Sequence, residues 1–124
     1  MSAVVDVTGA ATEQDARAAA RAVVGSSLVK AALHGSDPNW GRVFAAVGNS
    51  GAQVDFLKAA LWIGAVQVAR DGVSTGASKD AARAEMTGAE VVMRVDLGLG
   101  DASARAWGCD LTEAYVVENA AYST

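Results

Sequence analysis

Ala16, Ala19, Ala20, Val23 and Val24 fall at i, i+3, i+4, i+7 and i+8. That is the spacing of one helical face. The face is built from the smallest apolar side chains, which implies close packing of thin elements. Just before it, "AVVDVTG" (3–9) is rich in valine and ends at a glycine, the pattern of a strand. Thr12 with Asp15 forms a variant capping box, so the helix starts there. Gly25 is placed to end it. Glu13, Arg17 and Arg21 lie outside the stripe at i, i+4 spacing and lend weak ion-pair support.

The chain has 124 residues, the length of a single domain spanning 1–124. Apolar residues make up 52% of it, which argues against disorder. Cys109 is the lone cysteine and His34 the lone histidine. An intrachain disulfide is therefore impossible, and a structural zinc site lacks its ligands. The net charge is −4 with no basic cluster, so phosphate-tracking nucleic-acid binding is set aside. The run "AALWIGAV" (59–66) is far short of the roughly 20 residues that span a bilayer. "MSAVVDVTG" lacks the basic-then-apolar pattern of a secretory signal. A soluble cytoplasmic protein is the default expectation.

Further along, "SSLVKAALHG" (26–35) reads as a second helix, capped by Ser26 or Ser27 and stopped by Gly35. "HGSDPNWGRVFAAVGNSG" (34–51) then holds the only proline, the only histidine, a tryptophan and an arginine. Asp37 suits a helix N-cap and Pro38 the first helical position, where a missing N–H costs nothing. Val43, Ala46 and Val47 face one way. "ALWIG" and "VQVARDG" read as strands separated near Gly64 and Ala65. "SKDAARAEM" (78–86) reads as a short helix capped by Ser78. "AEVVMRVDLG" and "ASARAWGCD" read as strands joined by "GLGD" as a hairpin. Asp110 with Glu113 opens a final helix. The summed pattern predicts an α+β fold with mixed α/β layers, in which helices cover a largely antiparallel sheet.

Candidate sites are few. In "DPNWGR" one reading is a capped helix with Trp40 buried and Arg42 paired to a carboxylate. The other uses the first-turn N–H groups, with Asn39 and Arg42, to attract an anion. His34 sits at a helix end, a place for capping or packing more than for catalysis. Cys109 has no histidine near it in sequence and fits an inert thiol. "GLGDAS" (98–103) lacks the third glycine of a dinucleotide fingerprint and lies between strands. On the final helix Leu111, Tyr115, Asn119 and Tyr122 share one side. A polar Asn119 on that face needs a partner, which pattern alone leaves open between a backbone group and a ligand.

Two long blocks, "SLVKAALHGSDPNWGRVFAAVGNSG" (27–51) and "RVDLGLGDASARAWGCDLTEAYVVENAAYST" (94–124), resemble the glutamate N-acetyltransferase family. This is the ornithine acetyltransferase of arginine biosynthesis. The match is to the C-terminal part of that family's β chain, and residues 52 to 90 agree only in hydrophobic pattern. The resemblance implies a parent that cuts itself into α and β chains. Its newly exposed N-terminal threonine carries acetyl from N-acetylornithine to glutamate, and its freed α-amino group can act as base. Oxyanion donors come from the α chain. No cofactor or metal is implied, although acetyl-CoA is a possible co-substrate of the parent.

Residue by residue, the resemblance assigns substrate binding to Asn119 and Thr124. The family's nucleophilic threonine, its substrate-contacting glutamate and its oxyanion residues all lie upstream of the matched segment, and none of Thr8, Thr12, Thr75, Thr87 or Thr112 sits in the right motif. The expectation is therefore an acyltransferase component with no catalytic residue of its own, inactive alone. Its partners would be the missing N-terminal β segment and the α chain, with N-acetylornithine and glutamate as small-molecule substrates. The alternative is a non-catalytic binding or oligomerisation module that keeps the scaffold. An excised domain would expose apolar surface, so a homo-oligomer is possible. No membrane partner is expected. Asp37 and Pro38 are expected to start a helix that Trp40 and Arg42 lock to its neighbours.

Overall fold

The computed structural model describes residues 2–109. The predicted final helix, with Asp110, Leu111, Glu113, Tyr115, Asn119 and Tyr122, and the terminal Thr124 lie outside the described residues. The valine-rich start forms β1 (Ser2–Ala10). It is followed by α1 (Glu13–Gly25), α2 (Ser27–His34) and α3 (Trp40–Gly48). Next come β2 (Ala60–Ile63), β3 (Val66–Arg70), β4 (Val73–Ser74), α4 (Lys79–Ala84), β5 (Glu90–Asp96) and β6 (Ala102–Cys109).

Each helix begins where a short polar side chain can accept an orphan N–H. Thr12 Oγ1 accepts from Asp15 N at 3.0 Å. Ser26 closes α1 by donating its N–H to Val23 O and opens α2 by accepting from Val29 N. Ser78 caps α4 in the same way. The α1 stripe is buried as its spacing requires, with Ala16, Ala19, Ala20, Val23 and Val24 all inside.

The strands form one sheet in the order β4-β3-β2-β5-β1-β6. Only β1 and β5 run parallel, and the other four pairs are antiparallel. Ala3, Val5 and Val7 of β1 and Val91, Met93 and Val95 of β5 point to one face and share a buried cluster with Leu61 and Ile63. Side chains from all four helices join that cluster. The helices therefore cover this face, and α1 lies against β1 and β6. Alanine and glycine at these contacts let the helix approach closely.

The predicted hairpin between the last two strands does not form. β1 lies between β5 and β6, and residues 97–101 cross its tip. Leu97 N donates to Thr8 O, and Leu99 N and Gly100 N both donate to Gly9 O, at 2.7–2.9 Å. The crossing needs glycine. Gly9 has φ +65°, and a Cβ there would meet the backbone N of Gly98 at 2.8 Å. A Cβ on Gly100 would meet Ala10 O at 2.7 Å. The glycines that suggested a tight turn serve a close backbone crossing instead.

Candidate functional site

The segment between α2 and α3 is held by a dense set of local hydrogen bonds. α2 ends in a Schellman motif, with Ser36 N donating to Leu33 O and Asp37 N to Ala32 O. The left-handed position of that motif falls on Ser36 (φ +51°), one residue past the glycine expected to end the helix. Asp37 is committed to the end of α2 through its N–H, so it does not cap α3, and Pro38 is not the first residue of that helix. The cap is Asn39, whose Oδ1 accepts from Arg42 N at 3.1 Å. The other end of the same amide, Nδ2, donates to Asp37 Oδ2 at 3.4 Å.

Arg42 does not pair with a carboxylate among the described residues. Its Nη1 donates to Leu28 O at 3.1 Å, tying the start of α3 to α2. Trp40 is half-buried and meets Phe44 edge-on at 5.6 Å, and Phe44 stacks at a tilt on Phe56. These contacts lock the helix to its neighbours. His34 is exposed in the last turn of α2. Cys109 is the last residue of β6.

A cleft of about 260 Å³ opens beside this segment. Asp37, Pro38, Asn39 and Trp40 form one wall; Val68, Ser74, Lys79 and Ala82 form the other. Arg83 Nε donates to Ser36 O at 3.1 Å and fastens α4 to the loop. The sequence reading found the first wall through its unusual residues. It missed the second, because only the β3–β4 and α4 packing brings Lys79 across.

The second candidate surface is the sheet face opposite the helices. Side chains alternate along strands, and the register aligns Gln67, Trp62, Arg94, Asp6 and Arg105 across five strands. The Arg94 guanidinium lies 3.9 Å from the Trp62 ring centroid. Arg105 forks onto Asp6 through Nε and Nη2. That hydrogen bond, then the Asp6 charge, holds the Arg105 pKa above its ordinary value. In the adjoining row Val4 is held between Val92 and Trp107, which are 37% and 48% exposed. No described element covers this face. A signal was available in "VVMRVD", where Val92 and Arg94 alternate with core residues. Strand order was needed to put Trp62 beside Arg94.

Among the described residues no group of three or more histidine, cysteine, aspartate or glutamate side chains could hold a metal ion. No helix there is long and apolar enough to cross a membrane. Nothing among them sets a nucleophile beside a base, and the hydroxyls with described contacts cap helices or bond to backbone. A largely antiparallel six-stranded sheet with helices on one face defines a protein of the α+β class.

Comparison with known proteins supplies the family. The chain belongs to the ArgJ family, whose model matches residues 2–124. It is 52% identical over 120 residues to the arginine biosynthesis bifunctional protein ArgJ of Symbiobacterium thermophilum, which covers 97% of this chain and 30% of that protein. It is 47% identical over 124 residues to the glutamate N-acetyltransferase of Methanopyrus kandleri, covering 98% of this chain and 32% of that protein. The crystal structure of the arginine biosynthesis bifunctional protein argJ from Bacillus halodurans superposes with a TM-score of 0.86 at 42% identity. That alignment takes in 98% of this chain and 57% of the crystallised one. The chain thus spans about 30% of the length of the curated relatives it matches.

Proposed function

We propose that this chain is the C-terminal component of an ornithine/glutamate N-acetyltransferase and is inactive alone. The observation that carries the reading is the match of residues 2–124 to the ArgJ family, over only about 30% of each full-length relative. The same region takes 57% of the crystallised relative. A crystallised polypeptide close to half of a full-length relative is what self-cleavage into two chains would leave. The uncovered sheet face supports the reading too, since Trp62, Val92 and Trp107 are suited to an interface core and Arg94 and Arg105 to its rim.

In this reading the missing α chain and N-terminal β segment bring the nucleophilic threonine, its amine base and the oxyanion donors. Threonine Oγ attacks the acetyl carbonyl of N-acetylornithine. The amine carries the proton to the departing ornithine nitrogen, and the glutamate amine then takes the acetyl group from the ester. This chain's part is to hold the amino-acid end of the substrate through Asn119 and Thr124, which lie outside the described residues. An amide offers both donors and an acceptor, and a terminal hydroxyl or carboxylate adds to them. The setting is cytoplasmic, in keeping with a single cysteine and the biosynthetic names of the relatives.

The test is an acetyl-transfer assay from N-acetylornithine to glutamate. The chain alone should be inactive, and adding the upstream segments of a relative should restore turnover. Asn119→Ala in that assembly should raise KM for N-acetylornithine at least about tenfold, the cost of one lost hydrogen bond to a charged or buried partner. An assembly that forms but never turns over would favour a non-catalytic module.

A further inference from the structure

The cleft between the start of α3 and α4 has no part in the acetyl-transfer reading. Its volume of about 260 Å³ lies just under the range usual for drug-sized ligands. That suits a metabolite of amino-acid size. Two side chains of opposite charge line it from different elements, Asp37 after α2 and Lys79 at the first turn of α4. They do not pair with each other. Lys79 makes no ion pair or hydrogen bond with any described residue. Asp37's side chain meets only the long 3.4 Å bond from Asn39.

The lining also carries apolar groups from Trp40, Val68 and Ala82, beside the polar Asn39 and Ser74. The walls are held in place before any ligand arrives. Asn39 caps α3 with one end of its amide and reaches the Asp37 carboxylate with the other. Arg83 clamps α4 to the loop through Ser36 O. An anion alone would be repelled by Asp37 and a cation alone by Lys79. A zwitterion satisfies both.

We propose that this cleft binds a small free α-amino acid with an aliphatic side chain. Its carboxylate meets Lys79 Nζ, its ammonium meets the Asp37 carboxylate, and its side chain rests on Trp40, Val68 and Ala82.

The experiment titrates the full 124-residue chain with L-leucine, N-acetyl-L-leucine and L-leucinamide, reading backbone amide shifts and Trp40 fluorescence. L-Leucine should bind saturably at millimolar concentrations and move the signals of residues 37–41 and 74–82. Each blocked derivative should bind at least about tenfold more weakly, since each loses a charge-assisted hydrogen bond. Lys79→Met should abolish the discrimination against the amide and keep that against the acetyl form. Asp37→Asn should do the reverse. Both side chains are exposed or partly so, so both variants should fold, with far-ultraviolet circular dichroism as the check. The inference is overturned if L-leucine causes no saturable change up to tens of millimolar. It is equally overturned if binding survives both substitutions undiminished, or if the shifts map to another surface.

Discussion

The two faces of the sheet are made by the same strands and differ in kind. Towards the helices β1, β2 and β5 present Val5, Val7, Leu61, Ile63, Met93 and Val95, all nearly inaccessible. On the other side the same strands present Asp6, Trp62, Arg94 and Val92. The first composition is a core that the chain completes for itself. The second, mixing large aromatics with paired charges, is what interfaces use. A chain that spans about 30% of its relatives keeps its own core whole, and no described element covers the other side.

Neighbouring positions on β2 make the sharpest test. Leu61→Ala should lower stability by about 2–5 kcal/mol, as for a buried leucine that leaves a cavity, measured by urea denaturation. Trp62→Ala, one residue on and facing the other way, should cost about 1 kcal/mol or less in this chain, from loss of the Arg94 contact. If the proposed assembly forms through this face, the same substitution should weaken it at least about tenfold, as interface tryptophans do. Equal losses at the two positions in the isolated chain would break the comparison, because the second face would then be covered from within.

Gly9→Ala should follow, costing about 1–3 kcal/mol, because a left-handed backbone and a close contact combine there. Ser36→Gly should work the other way, raising stability by about 1 kcal/mol by relieving the left-handed serine that ends α2. The smallest effect belongs to Asp6→Asn. The Arg105 pair is exposed and screened, so the denaturation midpoint of the isolated chain should hardly move. A large change there would mean that the charged row is already buried.

Most helix starts were legible because a serine or threonine stood before an apolar stripe. At α3 the turn that ends α2 takes up Asp37, and the cap falls two residues further on, at Asn39. The last strands were legible as strands, and their pairing was not. "GLGD" has the composition of a hairpin turn, and nothing local says that β1, some ninety residues earlier, occupies the space between. The cleft was half legible for the same reason. Asp37 and Trp40 stand in one conspicuous run, while Lys79 sits in an ordinary helix start and joins them only through packing.

Because β1 is wedged between β5 and β6, synthesis must run some ninety residues past β1 before this side of the sheet can close. Contacts so distant along the chain slow folding. A nascent copy that stops short of residue 102 would leave β1 with a bare edge, an open invitation to aggregation. Synthesis of β6 is thus the step that pairs the open side of β1.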